Sequence, residues 1–329
     1  MVGRVELGRR PRVTVGFVHV GESTVDVARE RILAQEAVDV HLTEIAHLPQ
    51  LEAHASLYSR LDSESETSDL LVKVDGDMVS MSQRLFAAAH AVLDAFPDVD
   101  VLSIGVDDWF SRERIDGLVV WRGGVRWLGD PQDWRPDRVP TTAGLLVRIN
   151  EFVGPVVLHA PDPTPDQAFR YGLHRGLKAA RTGSEKRLHE AHAFVRSTER
   201  DPHPMRLLAV AGMIEGLRRP LDSVRLMSTE SARDIVVTLD GVADPMRLLE
   251  TADRELRRHR RRGGVRKRLR RFVTSRAAPR SARAPRLDST AEARRSDGSE
   301  MSHVSDPYVR VFARALERHV AREADGRRA

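Results

Sequence analysis

Short valine-rich runs alternate with helix-patterned segments through the first third of the chain, and that alternation leaves few folds open. "RVTVGFVHV" (12–20), "VDVHLTEI" (38–45), "LLVKVD" (70–75) and "VDVLSIGV" (99–106) each have the length and β-branched content of a buried strand. Between them lie amphipathic stretches. The first opens at Ser23, a residue suited to an N-cap, and carries Val25, Ala28, Ile32 and Leu33 on one face. The second runs through Leu51, Ala55, Leu57 and Leu61, and the third spans 81–96. Strands that alternate with helices predict an α/β fold with a mainly parallel sheet flanked by helices. In such sheets ligands collect at the carboxyl ends of the strands. Asp75 and Asp77 fall at that end of the third run.

After residue 110 the rhythm changes. "GLVVWRGGVRWLGD" (117–130) reads as a hairpin turning at Gly123 and Gly124, and "PVVLHAPDPTP" (155–165) as a short strand entering a proline-rich loop. Helical patterns follow at 166–181, 184–198, 204–218, 229–239 and 244–262. The organisation expected is a core over 1–181, a helical extension packed on it over 182–262, a basic disordered linker over 263–303 and an amphipathic C-terminal helix over 304–329.

Composition narrows the chemistry. With 41% hydrophobic and 31% charged residues the chain is expected to be globular, and it lacks an apolar run long enough to span a membrane or a signal-peptide core, so a cytoplasmic address is expected. There are no cysteines, which excludes thiolate catalysis and Cys-ligated zinc, so any metal must be held by oxygen or imidazole, as Mg2+ or Mn2+ are. The net charge of +5 conceals an asymmetry. Residues 251–329 hold 23 basic and 10 acidic side chains, whereas 1–250 hold 30 and 38. Within 254–286 there are 15 basic residues and one acid. That block is either a solvated tail or an anchor to the inner face of an anionic membrane. Nucleic acid is a poorer partner, because Phe272 is the block's one aromatic available for base stacking.

A D-x-D at a strand end sends both carboxylates to the same side of the extended chain, where they can hold a divalent cation against a diphosphate. Glycine between them allows close approach to the backbone. A plain turn in which Asp75 or Asp77 caps the helix after Ser80 has the same pattern, and the residues alone do not separate the two. A second stretch carries charge in register. From Thr164, the side chains of Gln167, Arg170, His174, Lys178 and Arg181 recur at helical spacing along one face, with Phe169, Leu173, Leu177 and Ala180 on the other. That stripe is a cradle for phosphate or a solvated face. Gly172 and Gly176, costly inside a helix, imply a neighbouring backbone packed close.

The order strand, helix, strand, helix, then "SDLLVKVDGDMV", resembles the nucleotide-sugar-binding half of GT-A-fold glycosyltransferases, particularly the family-two-like bacterial enzymes; "HAPDPTPDQAFRYGLHRGLKAAR" (159–181) extends the likeness more loosely. The resemblance covers 12–181. It implies a metal-dependent glycosyltransferase that takes a nucleotide-diphosphate sugar and a glycan or lipid-linked acceptor hydroxyl. Asp75 and Asp77 would hold Mn2+ or Mg2+, with His159 as a third ligand. Asp75, Lys73, Gln167, Arg170, His174 and Lys178 would contact the donor, and Lys73 and Asp69 would also brace the strand. An inverting enzyme of this kind needs a carboxylate base beside the acceptor. Asp107, Asp108, Asp130, Asp133 and Asp166 are available, and Asp130 and Asp108 are the expected catalytic candidates, although the family's acidic base motif is not evident at its usual place.

Two rivals stand. "VKVDGDMV" with "IGVDD" imitates a haloacid-dehalogenase-like phosphatase in which Asp75 attacks phosphorus, although that nucleophile normally ends a first strand and precedes Gly-Thr. An inactive scaffold whose basic tail recruits an acidic partner is the other. "LHEAH" (188–192) is not a metalloprotease helix, since His189 and His192 are three apart where four is required.

Overall fold

The computed structural model describes residues 9–131, 140–149, 157–182, 185–218 and 244–277, together with Arg314. The helix expected at 229–239, Asp133, and most of the expected linker and C-terminal helix lie outside the described residues. The chain divides into two compact units.

In the first unit, β1 (Arg12–His19), α1 (Val25–Leu33), β2 (Asp39–Ala46), α2 (Gln50–Glu64), β3 (Leu70–Asp75), β4 (Met78–Val79), α3 (Leu85–Ala95), β5 (Val99–Asp108), β6 (Arg114–Arg122), β7 (Leu145–Ile149) and β8 (Leu158–His159) follow in order. The strands form one sheet in the order β2-β1-β3-β6-β5-β8-β4, with β7 also paired to β5. Along β3, Leu70, Val72 and Val74 face the core that α1 and α3 cover, and Leu71 faces the one under α2 with Leu57, Tyr58 and Trp121. This is the period-two burial of a strand sandwiched between helical layers.

The sheet is mixed rather than mainly parallel. β1 pairs in parallel with β2 and β3, and β5 in parallel with β7 and β8. β6 lies antiparallel between β3 and β5, and β4 antiparallel to β8. One half of the cause is local, since a short connection after Asp108 returns the chain as a hairpin, which is necessarily antiparallel; the other is the pairing of β6 with the distant β3. The hairpin expected within 117–130 therefore forms instead between β5 and β6. Beyond Gly124, among the described residues, an isolated bridge from Trp127 to Thr141 stands where the second hairpin strand was expected.

Two helix starts also differ from expectation. α1 is capped at Thr24 without a side-chain bond, while Ser23 Oγ donates to the Asp162 carbonyl (2.8 Å) and Thr24 Oγ1 to the Gly76 carbonyl (2.9 Å). Both hydroxyls are used in tertiary ties. α3 starts at Leu85 rather than 81, where the side chain of buried Gln35 accepts the Phe86 amide (3.0 Å) and donates to the Ser82 carbonyl (2.6 Å).

The second unit comprises Phe110–Arg112 and the helices α4 (Pro165–Thr182), α5 (Glu185–Arg200), α6 (Pro204–Arg218) and α7 (Pro245–Ala277). α4, expected with the sheet, groups with the helices because it packs backbone against backbone on α6. A Cβ on Gly172 would collide with the Ala209 carbonyl and one on Gly176 with that of Met213; reciprocally, Gly212 meets Phe169 and Gly216 meets Leu173. α7 runs past its expected end at 262 to Ala277, so 263–277, expected as disordered linker, is helical. The Arg, Lys and Leu residues there are good helix formers, which offsets a cost of about 1 kcal/mol for each of Gly263 and Gly264.

Candidate metal and phosphate site

β3 ends in a turn, Asp75–Gly76–Asp77, that carries the chain into β4. The loop after β1 closes over it. The Gly76 amide donates to the Val18 carbonyl (2.8 Å), and a Cβ on Gly76 would lie 2.5 Å from His19 Cβ, 3.0 Å from Glu22 Oε2 and 3.2 Å from Val25 Cγ2. The glycine thus accommodates the protein's own β1–α1 loop, where close approach of a ligand was expected. Gly76→Ala is expected to lower stability by about 1–3 kcal/mol through overpacking, read as a drop in thermal midpoint.

Lys73 and Asp75, two apart on one strand, point the same way, and Lys73 Nζ donates to Asp75 Oδ2 at 2.8 Å. Burial alone would raise the Asp75 carboxyl, but the charge and hydrogen bond of Lys73, helped by His54 and His159, hold it below its ordinary value. Asp77 differs. Burial raises its carboxyl, Asp75 and Glu22 push the same way, and His159 opposes them. Its Oδ2 lies 3.4 Å from His159 Nε2, while its Oδ1 is buried with no hydrogen-bond partner. Buried carboxylate oxygens are rarely left so.

His159 reaches this turn because β8 lies between β4 and β5. His159 pairs with Met78 on one side and with Asp108 on the other, and the Ala160 amide donates to the Asp77 carbonyl at 2.8 Å. Asp108, its side chain fully buried, places Oδ1 2.9 Å from His159 Nδ1. Burial lowers the imidazole's affinity for a proton, yet the charge of Asp77, the bond to Asp108 and the charges of Asp108 and Asp75 together raise its pKa to about 9. Backbone strain marks both edges of this pair of two-residue strands: Ala160 and Ser80, each directly after one of them, have φ of 50° and 57°.

The sheet therefore assembles Asp75, Asp77, His159 and Asp108, with Lys73 against the first. Asp108 is turned inward to His159, with its side chain fully buried. Asp130 is not brought in. β6 runs antiparallel to β3, so Arg122 sits opposite Leu70, at the rim away from Asp75. The chain stays there: Gly123 donates to the Asp69 carbonyl, and the Trp127 amide to Asp62 near the end of α2, three residues before the exposed Asp130. Asp107 is held by Arg114 at 2.8 Å, and Asp69 accepts the Arg12 amide and Arg9, bracing the start of β3 as expected.

Gln167, Arg170, His174 and Lys178 lie on α4 in the second unit. Gln167 is half of a capping box: its Oε1 accepts the Thr164 amide (2.7 Å) and Thr164 Oγ1 accepts the Gln167 amide (3.3 Å). The T-x-x-Q signal was present in the sequence, and Gln167 serves the helix cap. Arg170 pairs with Asp166 at 2.8 Å, and His174 and Lys178 are exposed.

Two residues near the site escaped sequence reading. Glu22 biases Asp77, and buried His54 on α2 biases Asp75. His54 shares a buried helical face with Ala53, Leu57 and Leu61, a pattern that gives no sign of a site.

Among the described residues no group of three or more His, Asp or Glu side chains stands ready to hold a metal ion. Asp75 is closed by Lys73, and His159 by two carboxylates. What fits a cation is the unpartnered Asp77 oxygen beside a second carboxylate, since carboxylate oxygens are donors of the kind that suit Mg2+ or Mn2+.

No family model matches the chain, and no curated protein matches it. Among solved structures, the mannosyltransferase PcManGT from Pyrobaculum calidifontis, in complex with GDP-Man and Mn2+, is similar over 77% of this chain and 86% of that chain, at 14% sequence identity and a TM-score of 0.33. So remote a likeness transfers neither residues nor chemistry.

Proposed function

We propose that the chain is a metal-dependent glycosyltransferase of GT-A type, moving a sugar from a nucleotide-diphosphate sugar to an acceptor hydroxyl on a glycan, lipid or surface-polymer precursor. The observation that carries this reading is the buried Asp77 oxygen without a partner, next to a second carboxylate, at the carboxyl end of a strand in an α/β sheet. A carboxylate so placed is costly in the metal-free protein and is satisfied by a cation.

Asp77 and Asp75 are the proposed ligands, with His159 Nε2 as a third once its proton has left. A bound Mg2+ or Mn2+ would neutralise the diphosphate as it departs. Lys73 keeps Asp75 ionised, and the tight packing around Gly76 fixes the turn that presents both carboxylates. The phosphatase reading loses its distal acidic pair, since Arg114 holds Asp107 and His159 holds Asp108.

Calorimetry with UDP- and GDP-sugars tests the reading. Binding that requires Mn2+ or Mg2+ is expected. Absence of binding by either nucleotide in the presence of metal, or turnover of a generic phosphate ester with Mg2+, would overturn it.

We also propose that residues 254–286 attach the protein to an anionic membrane surface. Arg254, Arg257, Arg258, Arg260 and Arg261 are exposed on α7, and among the described residues no helix is long and apolar enough to cross a membrane. Each basic residue near such a surface contributes about 1 kcal/mol, weakened by salt. The full chain is expected to sediment with phosphatidylglycerol-containing vesicles at low salt and to release at high salt. Equal binding to pure phosphatidylcholine vesicles would remove the proposal.

A further inference from the structure

We infer that Asp108 is a positioning residue whose buried carboxylate keeps a proton on His159 Nδ1 and so turns Nε2 of that ring toward Asp77. The backbone prepares this contact. Asp108 and His159 are register partners on parallel strands, and the Trp109 amide donates to the His159 carbonyl at 3.1 Å, so the two residues cannot slide past one another. The Asp108 side chain has no exposure at all, against 17% for His159 and 22% for Asp77, so its carboxylate is beyond the reach of a substrate but in contact with the ring.

An ionised carboxylate can only accept a hydrogen bond, so a ring nitrogen 2.9 Å away must carry the hydrogen. In the neutral ring the lone pair is then on Nε2, the nitrogen 3.4 Å from Asp77 Oδ2. Without Asp108 the two tautomers would compete, and the ring could rotate about its own bonds. A carboxylate behind an imidazole orients it, sets its tautomer and makes it a better ligand; loss of such a partner typically weakens metal binding 10- to 100-fold. The role toward a cation rests on the metal reading proposed above, whereas the effect on the ring does not. Asp108 thus acts through His159 and not as a base beside the acceptor.

The test uses the full-length protein labelled with 15N, with the His159 ring signals assigned by loss in His159→Gln. In metal-free wild type a downfield, slowly exchanging proton on Nδ1 is expected. Asp108→Ala should lose it. Asp108→Asn, which retains an accepting oxygen but not the charge, should keep it. In parallel, Mn2+ affinity measured by electron paramagnetic resonance should fall by about 10- to 100-fold in Asp108→Ala and by less in Asp108→Asn, with turnover at saturating Mn2+ less affected than the apparent KM for the ion. Persistence of the Nδ1 proton in Asp108→Ala overturns the inference, and so does wild-type Mn2+ affinity in a variant that has lost it. Should Asp108→Ala not fold, Asp108→Asn decides: a retained proton with weakened affinity supports the role, and a lost proton or unchanged affinity refutes it. If wild type binds no Mn2+, the metal reading fails by itself, while the proton signal still decides whether Asp108 positions the ring.

Discussion

Asp77→Asn is expected to reduce Mn2+-dependent binding of a sugar nucleotide by on the order of a hundredfold or more while leaving the metal-free fold intact. The two effects separate because Asp77 is poorly served in the metal-free protein. One of its oxygens is buried without a partner, and Asp75 and Glu22 add repulsion to the cost of burial. An amide removes that charge at constant shape, and the loss is offset against the ion pair forgone with His159, so stability should change by no more than about 1 kcal/mol. A residue whose neutralisation removes binding and spares the fold is held for function. Equal sugar-nucleotide affinity in the variant would remove the site from consideration.

The same substitution should alter the pH dependence of stability. In wild type, burial opposes protonation of His159, but Asp77, Asp108 and Asp75 face the ring and raise its pKa to about 9. A raised pKa stabilises the fold fully below the ring's unfolded value of about 6.5, and that contribution is lost as pH rises through about 9. Metal-free wild type should therefore show a falling thermal midpoint across this window. In Asp77→Asn the charge that contributes most to the raised pKa is gone, so the fall should be smaller and finish at lower pH. Identical pH profiles for the two proteins would show that Asp77 and His159 are not coupled as their geometry implies.

Gly172→Ala is expected to destabilise the helical unit by about 2 kcal/mol or more, even though alanine is the better helix former by about 1 kcal/mol. The new methyl would point into the carbonyl, carbonyl carbon and Cα of Ala209, all main-chain atoms. No rotamer can relieve such a collision, so α4 and α6 must move apart along a contact that also includes Gly176, Gly212 and Gly216. Gly212→Ala places its methyl against Phe169 from the other side, and the double variant should lose more than either alone. Thermal unfolding measures both. A midpoint equal to or above wild type would mean that the helices separate at little cost and that the glycines do not set their spacing.

Much of this was legible because it is local. β3 spans the residues its valine-rich run predicts, and α6 spans 204–218 as its pattern predicts, because strand and helix periodicities are read from neighbours a few residues apart. The Asp75–Asp77 pair could be read as a candidate at a sheet rim for the same reason. The close packing at Gly172 and Gly176 was also legible, since glycine inside a helix needs a cause.

The remainder depended on partners distant in sequence. β6 reverses the sheet's direction because it turns back onto β5 and also meets β3, more than forty residues earlier. Gln35 sets the start of α3 from 51 residues away. Asp108, expected as a base, has its carboxylate against His159, again 51 residues away, and Asp130 was carried to the opposite rim by a strand whose direction its own residues do not encode. By itself the sequence determined the first strands, most of the helices and that two carboxylates share a strand end, because propensity and periodicity act over a turn or two of chain. Only tertiary structure decided which groups face those carboxylates, because a buried charge takes its partners and its proton affinity from whatever the fold packs against it.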